Sequence, residues 1–191
     1  PDKANQLLDE AGWVMNESTG IREKDGEPLN LLLTLEADHN AVSMPTAEVI
    51  KSQLAEVGID VTIYGTEQMQ WYADYLEGKF DLTLWHCQFA FASPHCWFTP
   101  MDSMVPQTPS LPGIEGSDEF LATIKDLTNM VDEQEVRDTY TYLFNFDVGT
   151  VLDIPLTYQK DMIVYNTDKI SGYTFTGTPY FFDILSLKPA E

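Results

Sequence analysis

Apolar positions recur at helical spacing from the first residues: Ala4, Leu7, Leu8 and Ala11 form one stripe behind Asp2, a suitable N-cap, and Gly12 ends it. The pattern predicts a short amphipathic helix whose stripe docks on another element. "REKDGEP" reads as a turn punctuated by Gly26 and Pro28. Leu29 to Leu35 is then a nearly unbroken apolar run, the signature of a strand covered on both faces.

The helical period returns at Ala47, Ile50, Leu54 and Val57, Gly58 stops it, and "IDVTIY" follows as a β-branched strand. A further helix is expected to carry Met69, Tyr72, Ala73 and Leu76 on its apolar face and to end at Gly78, before a third strand in "FDLTLWH". Strand, helix, strand, helix, strand with short links predicts parallel strands joined by right-handed crossovers. Beyond Trp97 the proline-rich "TPMDSMVPQTPSLPGIEG" has no periodicity and reads as a long loop. Ser117 is placed to cap a helix with Phe120, Ile124, Leu127 and Val131, and a second helix carries Val136, Tyr140, Leu143 and Phe144. "DIPLTYQ" and "MIVYN" read as strands, and the tail as irregular and aromatic. The pattern is that of an α/β fold.

A chain of 191 residues can bury one core of its own, or form one lobe of a larger protein. Charge narrows the partners: 31 Asp and Glu against 10 Lys and Arg give a net charge of -21, spread along the chain. A surface of that sign repels phosphate backbones and anionic headgroups, which argues against nucleic acid. No apolar run reaches the roughly 20 residues that span a bilayer. The sequence starts on a helix without Met, the pattern expected of a segment cut from a longer precursor, with any targeting signal outside it.

Both cysteines and two of the three histidines fall in "LWHCQFAFASPHCWFTPM", Leu84 to Met101. Ligands of open α/β sheets bind beyond the carboxyl ends of the strands, and the third strand runs straight into this segment. The nine-residue separation of Cys87 and Cys96 does not match the close spacing of structural zinc sites. Two states stay open for the cysteines: a disulfide, contributing roughly 2.5 to 3 kcal/mol if geometry allows, or two buried thiols. The aromatics Trp85, Phe89, Phe91, Trp97 and Phe98 fit core packing and a pocket wall equally well. No GxSxG, HExxH or phosphate-binding glycine loop occurs, so no enzyme chemistry is marked.

"DKANQLLDEAGW", "GIREKDGEPLNLLLTL", "AEVIKSQLAEVGIDVTI" and "GKFDLTLW" resemble the C-terminal part of the family 5 extracellular solute-binding proteins, the receptors of peptide and nickel ABC importers. The resemblance runs from residue 1 to about Met101 and resumes at "DIPLTYQ" and "ISGY". It implies a periplasmic-binding-protein-like type II lobe with a mixed, mostly parallel sheet flanked by helices. Residues 1–152 would form most of the second ligand-binding lobe and 153–191 the return strands toward the hinge, with the first lobe outside this sequence. Peptide receptors of the family hold the α-amino group with an Asp that falls on Ala90, which has no carboxylate. Nickel receptors carry a Pro-His pair in register with Pro94 and His95, followed by Met101. Their loop Trp and Tyr fall on Gln88 and Ala92, and their metal-contacting His near Thr108.

The expected ligand-binding residues are therefore His86, Gln88, Phe91, His95 and Trp97, with Thr108 on an opposing loop. His95 and His86 are the candidate metal contacts, imidazole being a suitable nickel(II) donor. Tyr158 is expected near the lobe junction as scaffold. No cofactor is implied beyond nickel as a transported ligand. Implied partners are a small molecule, metal chelate or peptide, and ABC permease subunits, with membrane contact only through a lipid anchor outside the sequence. The resemblance further implies an extracytoplasmic monomer without enzymatic activity. A peptide receptor and a metal-dependent hydrolase are the rival readings, the latter requiring an open coordination site.

Overall fold

The structure is a computed structural model that describes residues 1–38, 41–85, 94–95, 97–98, 111–157, 163–175 and 183–190. These divide into two compact units, residues 1–87 with 106–112, and residues 88–105 with 113–191.

In the first unit, helix α1 (Asp2–Glu10) leads into an antiparallel ribbon of β1 (Val14–Met15), β2 (Arg22–Lys24) and β3 (Glu27–Pro28). The "DG" of the predicted turn makes a two-residue hairpin, with Asp25 at φ 55° and Gly26 at φ 87°, the left-handed pair that matches strand twist. The helix begins at Asp2 itself, with Pro1 in the cap position. Its apolar stripe does not dock as expected: no α1 residue is buried and Leu7 is 51% exposed. Arg22 holds the helix instead. Its side chain is buried and donates to the Asp9 carboxylate (2.5 Å), the Trp13 carbonyl (2.6 Å), the Asn5 side chain (2.8 Å) and the Val57 carbonyl (2.8 Å). Gly58 lies beneath it at φ 80°, where an added Cβ would stand 2.9 Å from the Arg22 Cγ and 2.7 Å from the Met15 Cε.

The core of this unit is a parallel sheet of β4 (Asn30–Glu36), β5 (Asp60–Thr66) and β6 (Leu82–Leu84) in the order β5-β4-β6. Each crossover carries one helix, α2 (Ser43–Ala55) and α3 (Gln68–Leu76). Leu33, Leu35, Ala47 and Val61 are buried together, with Ile50, Leu54, Ile63 and Leu84 packed on them, as the apolar period predicts. The opposite face of β4 meets α3: the Thr34 hydroxyl lies 3.0 Å from that of Thr83, which also accepts from the Trp71 indole N–H at 3.1 Å. Four consecutive β4 residues from Leu33 to Glu36 are buried, so the central strand is covered on both faces. The buried face of α3 differs from the expected one. Trp71, Asp74 and Tyr75 are buried, whereas Met69 is 68% exposed. The two rings bury more apolar area, and Asp74 tolerates burial because Gln70 (3.1 Å) and Lys79 (3.3 Å) bond its carboxylate.

The second unit contains α4 (Ser117–Leu127) and α5 (Glu133–Gly149), with a two-stranded antiparallel sheet of β7 (Ile170–Gly172) and β8 (Lys188–Pro189) in the tail read as irregular. Gly116 at φ 85° stands in the cap position of α4 rather than Ser117, while Asp132 caps α5 by accepting from Gln134 and Glu135 N–H. Phe120, Ile124, Leu127 and Leu143 are buried as expected. Val131 falls beyond the end of α4 and is 96% exposed. The described parts of "DIPLTYQ" and "MIVYN" carry no strand, since no described strand runs beside them to supply a ladder.

Candidate functional site

The strand order puts a topological switch point between β4 and β6: the connection from β4 leaves toward β5 on one side, and β6 lies on the other. At the carboxyl edge of this pair, Leu35 is in register with Leu84, so Glu36 and Trp85 come next. Strand alternation turns Trp85 to the α3 face, where its ring lies 5.0 Å from those of both Trp71 and Tyr75. Tyr75 in turn stacks on Phe80 at 5.5 Å. Trp85 remains 44% exposed, so the cluster presents one braced indole at the edge where an open α/β sheet receives its ligand.

Of the residues expected to contact ligand, His86, Gln88, Phe91 and Thr108 lie outside the described residues. So do Cys87, Ala90, Ala92, Cys96, Met101 and Tyr158. His95 and Trp97 are described, and the chain brings them onto one helical turn, in which the Pro94 carbonyl accepts from Trp97 N–H (3.0 Å) and Phe98 N–H (3.2 Å). The turn is anchored by Phe98, which is fully buried with its ring against Phe144 (4.9 Å), Phe120 (6.0 Å) and Tyr140 (6.4 Å). Phe98 is therefore core, while His95 and Trp97 are half-buried. Among the described residues no group of three or more His, Cys, Asp or Glu side chains is placed to hold a metal ion.

The Trp97 indole N–H reaches the Asp147 carboxylate at 3.4 Å. Asp147 is only 4% exposed and occupies the core stripe of α5 one turn after Leu143. Burial raises its pKa, partly opposed by the bonds from Trp97 and Asp153. Asp153 is pushed up to about 6, first by burial and then by the charge of Asp147 beside it. Burial thus favours the protonated form of both carboxyls. Sequence reading missed both residues. The available signal was an Asp standing at an apolar position of a helical stripe, four residues after Leu143.

Residues 1–108 match the family model described as bacterial extracellular solute-binding proteins, family 5 Middle. The chain is 27% identical over 167 residues to the nickel-binding periplasmic protein of Escherichia coli (strain K12), covering 86% of this chain and 31% of that protein. It is 43% identical over 70 residues to the oligopeptide-binding protein OppA of Lactococcus lactis subsp. cremoris, covering 36% of this chain and 11% of that one. The crystal structure of NikA from Brucella suis in complex with Fe(III)-EDTA superposes with a TM-score of 0.87 at 28% identity, over 99% of this chain and 38% of NikA. The chain thus spans about a third of the length of the nickel-binding relative and of NikA. No described helix is long and apolar enough to cross a membrane. With the parallel sheet, its helices and the segment up to residue 108 all matching one family model, the chain belongs to family 5 of the bacterial extracellular solute-binding proteins.

Proposed function

We propose that this chain is part of the ligand-capturing receptor of an ABC importer, acting outside the cytoplasm without catalysis, and that its cargo is nickel held as a chelate. The observation that carries the cargo is the breadth of similarity. The likeness to the nickel-binding protein extends over 167 residues, whereas the more identical oligopeptide-binding relative matches only 70. The charge fits a cationic or neutral cargo, and Ala90 offers no carboxylate to a peptide ammonium. His86 and His95 supply imidazoles to the metal, while Gln88, Phe91, Trp97 and Thr108 line the cleft around its organic shell. A second lobe closes on the ligand by hinge motion, residues 153–191 lead back toward it, and the permease recognises the closed form. The receptor acts as a monomer on a lipid anchor.

A peptide cargo is the second reading, favoured by the higher identity of the shorter match. Calorimetry on the full-length protein separates the two, titrating nickel with free histidine against a panel of dipeptides and tripeptides. Heat is expected only when nickel and histidine are both present. Tight peptide binding without chelate binding ends the nickel reading.

A further inference from the structure

Helix α5 faces the turn that carries His95 and Trp97 with Tyr140 and Phe144, which meet the Phe98 ring, and Leu143 is buried between them in sequence. The next core position, one turn after Leu143, is the buried Asp147. An apolar side chain there would continue the stripe, whereas a carboxyl group taken out of water must be given donors. The backbone amide of Asp153 is one, from the chain just beyond the helix. The other is the Trp97 indole N–H, which reaches Oδ2 at 3.4 Å from a segment 50 residues away in sequence. Trp97 and its neighbour Phe98 therefore attach to α5 at two heights, Phe98 on Phe144 at 4.9 Å and Trp97 on Asp147, three residues further along the helix. Packing of the Phe98 ring among Phe144, Phe120 and Tyr140 sets where the turn sits, but apolar contact is non-directional and leaves the turn free to swivel. A hydrogen bond has a preferred direction, so a second attachment of that kind removes the swivel.

We propose that the helical turn bearing His95 and Trp97 is held to α5 by two anchors, apolar at Phe98 and polar at Asp147, and that Asp147 is the positioning residue that fixes the orientation in which this turn meets the cargo. The Pro94 carbonyl, accepting from both Trp97 N–H and Phe98 N–H, ties the two anchored residues into one body, so a rotation at one is a rotation of the whole turn. With a side chain at 147 that cannot accept, the half-buried indole would turn its N–H to water and the turn would pivot on Phe98 alone. The anchor itself rests on the contacts of Trp97, Phe98 and α5, and its consequence for binding rests on the proposed function.

Fluorine NMR on the full-length protein labelled with 5-fluorotryptophan reads the anchor, with Trp97→Phe assigning the resonance. In Asp147→Asn, whose amide oxygen still accepts, the Trp97 signal is expected to stay near its wild-type position, and in Asp147→Leu to move away from it. Calorimetry with nickel and free histidine, or with a peptide if one binds instead, reads the consequence. Asp147→Leu should weaken binding about tenfold and Asp147→Asn leave it within about threefold. A merely structural residue would add its loss to that of any other variant, whereas one acting through Trp97 should cost nothing further in a Trp97→Phe background. An unmoved Trp97 signal in Asp147→Leu, or additive losses in the double variant, overturns the proposal. Should Asp147→Leu not fold, Trp97→Phe breaks the same bond from the other side, and full affinity in it overturns the proposal equally. If the wild type binds neither nickel-histidine nor peptide, the receptor reading falls while the Trp97 signal still decides the anchor. Binding that Asp147→Leu leaves unchanged does the reverse, keeping the receptor and removing the positioning role.

Discussion

Arg22 and Asp153 both bury charge, and their surroundings decide opposite outcomes. The guanidinium of Arg22 is 3% exposed, yet every acceptor around it is in hydrogen-bond range, so its charge is neutralised by Asp9 and by the backbone and amide oxygens at Trp13, Val57 and Asn5. Asp153 is buried beside another carboxylate, that of Asp147. Its pKa of about 6 in the folded chain lies above the roughly 3.9 of an unfolded Asp, so between those values the folded state holds a proton that the unfolded state has lost. The resulting stability is complete below about pH 4 and disappears as pH rises through 6. Asp153→Asn is expected to remove this fall and to raise stability at pH 7 by roughly 1–2 kcal/mol. Urea unfolding at pH 4.5, 6 and 7.5 measures it. Equal pH dependence in both proteins would show that Asp153 does not titrate as the structure requires.

At the scale of elements, α3 shows how a helical period can be read correctly and its face assigned wrongly. Met69, Tyr72, Ala73 and Leu76 make a regular stripe, but the helix turns Trp71 and Tyr75 inward because they reach Thr83 on β6 and Trp85 just past its end. Asp74 between them disguised that face as polar. The assignment predicts a large difference between neighbours on one helix: Trp71→Ala should cost about 3–5 kcal/mol and Met69→Ala less than about 0.5 kcal/mol, read by thermal unfolding. Similar losses would return the helix to the expected orientation. The helix α1 makes a related point, since its stripe correctly marked a helix while a single buried arginine, invisible to periodicity, ties it down.

If nickel is the cargo, as proposed, the net charge of -21 across the whole molecule separates two modes of binding. Scattered surface carboxylates attract bare nickel(II) through long-range fields, which salt screens over a Debye length of about 8–10 Å near physiological ionic strength. Capture of a chelate in a cleft depends on short contacts. Raising sodium chloride from 0.05 to 0.5 M, with each concentration about a factor of ten apart, is expected to abolish binding of nickel(II) alone and to change chelate affinity by less than about threefold. Equal salt sensitivity in the two titrations would place the metal on the surface. The chain covers only about a third of the length of its nickel-binding relative, so this measurement belongs to the full-length protein.

The parallel order of β4, β5 and β6, their helices and the buried stripe of α2 were legible in the sequence, because burial imposes a period that neighbouring residues display. The direction of β6 was equally legible, since it follows from connection length, whereas the loop after it, expected to carry the ligand contacts, lies largely outside the described residues. Residue chemistry in that loop was readable only as a likeness to relatives. Tertiary structure alone decided which face of α3 is buried, that Phe98 is core while Trp97 is only half-buried, and that Asp147 meets Asp153. Each of these depends on what lies opposite a side chain. A one-dimensional pattern records the spacing of a residue along its own element, not the partner that desolvates it or supplies its hydrogen bond.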